Sequence, residues 1–282
     1  MKICDSHSDF LTSFVCFKEK EKYVKEIKKN GIKHISCAVF TTDKNYNFVD
    51  IENFVKEIEL LKNKHKIDLL FSVEDIGFIN NFKELNNIID LKPFSVTLTW
   101  NFKNNIAGGS FSDFGLTRFG NDIVLELEKN NILVDTAHMS KKSFCDFCKI
   151  TQKPIFNSHS NIHSFKKHKR NLTDRQIEQI VKSNGFLGLT FYNKFLSNDD
   201  ITCKDIARQF DYLIKKFGYK NFGLGTDLFG VETENLPKDF KGYGDIKNLV
   251  SEFKKLGYNK KIITAILWKN FEDFLIRINH YK

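Results

Sequence analysis

The chain of 282 residues carries 44 Lys and Arg against 35 Asp and Glu, a formal net charge of +9, and 41% of its residues are hydrophobic. That length and apolar content exclude long disorder and suit one large barrel or two modest domains. The lysines are scattered rather than gathered into a stripe, so the charge reads as a compositional bias and no nucleic-acid partner is expected.

In chain order, short apolar runs with strand character recur near 3–9, 34–41, 68–74, 95–100, 132–138, 154–159, 186–191 and 222–227. Segments with helical spacing separate most of them. Ile51, Phe54, Val55, Ile58 and Leu61 recur at intervals of three or four, as do Ile206, Phe210, Leu213, Ile214 and Phe217. Thr173 followed by Gln176 forms a capping box ahead of Ile177, Ile180 and Val181. Gly185 and Gly218 fall where helices should stop. Helical patterns across 245–256 and 259–279 close the chain. No linker or low-complexity stretch divides it, so 1–282 is read as a single domain. Eight strands alternating with helices predict an α/β fold, a (β/α)8 TIM barrel. An open doubly wound sheet is the competing arrangement, disfavoured because no dinucleotide glycine fingerprint follows the first strand.

Six cysteines (Cys4, Cys16, Cys37, Cys145, Cys148, Cys203) show no secreted disulfide pattern. Cys145 and Cys148 form a CxxC without a second pair to complete a zinc site, and are read as helix packing residues. The opening MKICDSHSDF enters a strand almost at once, and no apolar run approaches the ~20 residues of a membrane span. A cytoplasmic protein with no membrane partner is expected.

In a barrel of this kind the chemistry collects at the C-terminal ends of the strands. Strand one delivers His7 and Asp9 there, which alternation points to one face. Strand three delivers Glu74, strand four Trp100 and Asn101, strands five and six His138 and His159, strand seven Tyr192, and strand eight Asp227. Singly, each has a structural alternative: an HxD pair satisfied internally, a hydrogen-bonded histidine, a Glu74 that caps a helix. Together, three imidazoles and three carboxylates on one rim would repel and lose solvation unless cations resolve the conflict. Mixed nitrogen and oxygen donors favour zinc. His34, His65, His163, His168 and His280 lie away from strand ends and are read as non-ligands.

At these residues the chain resembles the membrane (renal-type) dipeptidases, peptidase family M19, among the amidohydrolase-like metal-dependent barrels. The likeness runs through DSHSDF (5–10), SVE (72–74), TLTWN (97–101), GLTRFG (115–120), VDTAHMS (134–140), PIFNSHSN (154–161), RNLTD (170–174), GLTFY (188–192) and GTD (225–227). The 21-residue interval from His138 to His159 matches as well.

The resemblance implies a barrel of the metal-dependent hydrolase type holding two Zn²⁺ per chain. His7 and Asp9 would hold one ion, His138 and His159 the other, and Glu74 would bridge them. It implies dipeptide hydrolysis by a metal-bound hydroxide, with Asp227 as acid/base and Arg170 receiving the substrate carboxylate. Taken from its neighbourhood alone, Arg170 is a solvated member of the basic run FKKHKR. Trp100, Asn101 and Tyr192 are candidate substrate contacts.

Two departures stand out. Renal-type members carry a histidine where this chain has Trp100, although some bacterial relatives also read TLTWN. The family's GxDxDG is here GTDLFG, with Phe229 in place of the second Asp. The competing functions are the same metallo-barrel acting on another amide, a lactone or a phosphoester, and a non-catalytic ligand-binding relative. The 29 phenylalanines could supply a homodimer surface.

Overall fold

The computed structural model describes residues 1–10, 14–40, 48–197 and 200–279. Eight parallel strands close into a barrel: β1 (Ile3–Ser8), β2 (Ile32–Phe40), β3 (Asp68–Glu74), β4 (Ser95–Thr97), β5 (Leu133–Asp135), β6 (Phe156–Ser160), β7 (Phe186–Leu189) and β8 (Phe222–Leu224). The β2–β3 ladder runs unbroken from His34 opposite Asp68 to Phe40 opposite Glu74. A pairing of Asp5 with Leu224 joins β1 to β8 and closes the ring.

The helices between strands are α1 (Phe14–Lys29), α2 (Phe48–His65), α3 (Phe82–Asp90), α4 (Arg118–Lys129), α5 (Lys141–Ile150), α6 (Asp174–Lys182) and α7 (Cys203–Phe217). After β8 follow α8 (Ile246–Lys255), α9 (Lys260–Thr264), a π-helical turn (Ala265–Lys269) and α10 (Asn270–Arg277). The spacing explains their inward faces. On α2, Ile51, Phe54, Ile58 and Leu61 are buried and Val55 half-buried; on α7, Ile206, Phe210 and Leu213 are buried. Thr173 and Gln176 form the predicted capping box, Thr173 N donating to Gln176 Oε1 at 3.0 Å. Gly218 caps α7 with φ +80°. At α6 the left-handed residue is Asn184 (φ 54°) rather than Gly185. Gly185 serves a different need, since a Cβ there would lie 2.0 Å from Ile155 O.

The strand ladders stop earlier than the apolar runs suggest, because the chain turns sharply at the barrel mouth. Asp75 (φ 66°), His138 (φ 66°) and Asp227 (φ 64°) adopt left-handed backbone just past β3, β5 and β8. Such conformations are costly outside glycine and collect where side chains must be aimed. At the opposite end Phe94, Phe156, Phe186, Phe271 and Phe274 form a buried aromatic plug with Cys4, Leu70 and Leu133. The described cysteines are free; on α5 Cys148 packs against the core and burial pushes its thiol up to about 11, whereas Cys145, also expected to pack, is exposed because it falls on the outer face of the helix. No helix among the described residues is long and apolar enough to cross a membrane.

Candidate functional site

Barrel closure gathers Asp9, Glu74, Trp100, Asn101, His138, His159, Tyr192 and Asp227 around one cavity of about 580 Å³, with His7 buried against its carboxylates. His7 Nε2 lies 3.6 Å from Asp9 Oδ2, 3.4 Å from Glu74 Oε2 and 3.6 Å from Asp227 Oδ1. Asp9 and Asp227, 218 positions apart in sequence, thus share one imidazole. On the other side His138 Nε2 lies 2.9 Å from Glu74 Oε1 and 2.9 Å from His159 Nε2. Glu74 therefore sits between two histidine groups, one oxygen toward each. All of these side chains are buried or nearly so.

Electrostatics sort the groups. Burial depresses His138 to about 3, helped by the Arg170 charge, and holds His159 well below its ordinary range; both rings are neutral at pH 7. Burial would lower His7 too, but Glu74 and Asp9 outweigh it and raise the ring well above its usual value. For Glu74, burial is overcome by His7 and His138, which keep it ionised. Asp227 is pushed up to about 7 by burial, against the pull of His7 and with the repulsion of Asp9 and Glu74.

A divalent cation fits this donor set. Asn101 Oδ1 lies 3.0 Å from His138 Nδ1 and also accepts from Ser110 Oγ, so it takes the ring proton and leaves a lone pair on His138 Nε2. That lone pair faces a carboxylate oxygen and a second imidazole nitrogen. His7 Nε2 has no hydrogen-bond partner although it is shut off from water. Converging lone pairs and an orphaned buried nitrogen are costly unless a cation joins them. The side-chain atoms of His7, Glu74 and His159, and of His7, Asp9 and Asp227, lie close enough to share an ion.

Arg170 is 3% exposed, not a member of the solvated run around it. Its Nη2 donates to His138 Nε2 at 3.0 Å and to His159 O at 3.3 Å, while its Nε has no partner. Burial lowers it to about 10, so it remains a cation at neutral pH. Trp100 stacks on His138 at 29° and meets Phe40 edge-on, centroids 5.9 and 5.4 Å away. Tyr192 lines the cavity and packs against Phe195, with ring centroids 4.7 Å apart. Phe229 is wedged between Phe10 and Tyr23, so aromatic packing occupies the place of the second Asp.

Sequence reasoning passed over several residues. His168, set aside as off-strand, lines the cavity between Phe111 and Phe195. Asp5, fully buried, accepts from Thr226 N (2.9 Å) and Tyr243 Oη (2.7 Å) and ties β1 to the Asp227 turn. The available signal was a carboxylate inside an apolar strand run, which must find partners. His34 instead pairs with Asp68 at 2.6 Å, and His65 with Glu21 at 2.9 Å. His280 lies outside the described residues.

The membrane dipeptidase family (peptidase family M19) matches residues 6–279. The chain belongs to that family. Among its relatives, an uncharacterised protein from the pqqA 5′ region of Klebsiella pneumoniae is 28% identical over 229 residues, covering 76% of this chain and 83% of that protein. An uncharacterised dipeptidase of Schizosaccharomyces pombe is 28% identical over 199 residues, 67% of this chain and 47% of that protein. A metallo peptidase from Rhodobacter sphaeroides, solved with a phosphinate mimic of L-Ala-D-Ala, superposes with a TM-score of 0.83 at 19% identity over 99% of both chains. Membership of the membrane dipeptidase family makes this chain a peptide hydrolase by descent, built on the same barrel.

Proposed function

We propose that this protein is a zinc-dependent dipeptidase with two ions per chain, His7 and Asp9 holding one, His138 and His159 the other, and Glu74 shared. The observation that carries the reading is the double-sided placement of Glu74, one oxygen 3.4 Å from His7 Nε2 and the other 2.9 Å from His138 Nε2. Nitrogen and oxygen donors mixed in this way favour Zn²⁺ over Mg²⁺ or Ca²⁺. Bound there, zinc supplies Lewis-acid polarisation of the scissile carbonyl and lowers the pKa of water toward ~7.

The chain's own residues supply the rest. Asp227 orients the attacking water, accepts its proton and passes it to the departing amine. Arg170 receives the terminal carboxylate: it is a buried cation with no carboxylate partner among the described residues, and its planar fork matches that group. This favours a substrate with an anionic end, such as a dipeptide, over a neutral lactone or phosphotriester, which offers the guanidinium no charge to pair with. Asn101 fixes the His138 ring, and Trp100 and Tyr192 shape the space for the substrate's side chains. The mimic bound by the Rhodobacter sphaeroides relative supports tolerance of a D-residue at the C-terminal position.

Metal analysis of purified protein together with turnover of a dipeptide panel of mixed chirality tests the reading. Two zinc equivalents and hydrolysis that is lost on chelation and restored by zinc are expected. Protein that takes up no transition metal on dialysis against zinc would overturn it.

A further inference from the structure

His7 and His159 come from β1 and β6, 152 positions apart, yet both turn Nδ1 toward one hydroxyl. Ser158 Oγ lies 2.7 Å from His159 Nδ1 and 3.4 Å from His7 Nδ1. The two rings lie against each other with centroids 3.7 Å apart. Ser158 is 1% exposed, so water does not compete for these contacts. Its backbone N–H donates to Asp135 Oδ1 at 3.0 Å, and its side chain lowers that buried carboxyl against the upward push of burial. Asp135 Oδ1 also accepts from Ala137 N at 2.9 Å, and so holds the turn that presents His138.

A serine hydroxyl has one proton to give and two lone pairs to offer. With the proton directed to Asp135, both lone pairs are available to accept, one from each imidazole. We propose that Ser158, held by Asp135, is a positioning residue that sets the tautomers of His7 and His159 together, keeping a proton on each Nδ1 and turning each Nε2 to its cation. One hydroxyl would then govern a ligand of each ion, so its loss weakens both rather than one. The inference deepens the zinc dipeptidase reading and rests on it.

Two substitutions separate the parts. Ser158→Ala removes the shared acceptor from both rings. In Asp135→Asn the amide oxygen still serves the two backbone N–H groups, but the NH2 now faces Ser158 Oγ. The hydroxyl proton must then go to an imidazole nitrogen, and that ring's own proton moves to Nε2, where it blocks a cation.

The test combines zinc affinity, by competition with a chromophoric chelator, with long-range ¹H–¹⁵N NMR of histidine-labelled protein. In wild-type protein His159 should carry its proton on Nδ1 with and without zinc, and His7 should do so when zinc is bound. Both variants should bind zinc roughly 10- to 100-fold more weakly, the range for lost outer contacts to metal-binding histidines. Asp135→Asn should also show one ring protonated on Nε2. Wild-type His159 protonated on Nε2, or folded variants with wild-type affinity, would overturn the inference. If neither variant folds, the wild-type NMR decides alone. Wild-type protein that binds no zinc would sink the dipeptidase reading instead, while the metal-free His159 tautomer would still be read.

Discussion

The guanidinium of Arg170 rests on the ring of His138, Nη2 donating to Nε2 across 3.0 Å with both side chains buried. The same nitrogen lies 2.9 Å from Glu74 Oε1 and from His159 Nε2. One lone pair is therefore shared between the candidate metal ligands and the candidate substrate clamp. A cation that took this lone pair would release the Nη2 hydrogen now directed at it, and on the proposed function metal loading would then favour binding of a substrate carboxylate.

Arg170→Ala should raise KM for dipeptides about 100-fold, since charge-assisted hydrogen bonds contribute up to about 3 kcal/mol. The effect should vanish for the matching dipeptide amides, which lack the terminal charge. Steady-state kinetics on acid and amide pairs checks this. An equal loss on both would show that Arg170 does not read the carboxylate.

Asp227→Asn should lower kcat by roughly 10²–10⁴, the usual worth of a positioned general base, with zinc content retained. The pH behaviour follows from its position. Burial holds the metal-free carboxyl at about 7, so it is protonated below that pH and ionised above it. Nearby cations favour the ionised form, so zinc loading should expel this proton. Wild-type protein should release more protons than Asp227→Asn when loaded near pH 6, the difference closing by about pH 8.5. Proton release measured in weak buffer would be the same for both proteins if Asp227 does not face the cations.

Phe40, Trp100, Phe111, Phe195 and Phe229 line much of the cavity wall. A dipeptide with a large apolar side chain should therefore be preferred. Burying a phenyl-sized group contributes about 1.5–3 kcal/mol, or roughly 10- to 100-fold in kcat/KM over the glycyl counterpart. Trp100→Ala should erase much of that preference while leaving glycyl substrates little changed. A flat specificity profile in wild-type protein would refute the assignment.

Phe274 on α10 stacks on Phe156 at 16° inside the aromatic plug, at the end of the barrel away from the histidines. Phe274→Ala should cost about 3–5 kcal/mol of stability through the cavity it leaves. Zinc affinity of the folded variant should stay at the wild-type level. Chemical denaturation and chelator competition report the two quantities separately.

Much of the fold was legible in local spacing. Period-two alternation placed His7 and Asp9 on one side of a strand, and three-to-four spacing picked out the buried faces of α2 and α7. The Thr173–Gln176 capping box was readable from two residues three apart. These signals survive because hydrogen-bond geometry within a strand or helix depends only on neighbours along the chain.

What the amino-acid sequence determined by itself was the alternation of strand and helix and the kinds of group delivered to each strand end. The tertiary structure alone decided their company. Arg170 sits in a basic run that reads as solvated, yet pairing of Ile162 with Leu172 folds the loop inward and buries it. Asn101 behind His138, and Ser158 between His7 and His159, are partners across 37 and 151 positions. No local period encodes such distances. They exist because closing β1 onto β8 arranges the eight strand ends around one mouth, where burial favours polar atoms that find partners.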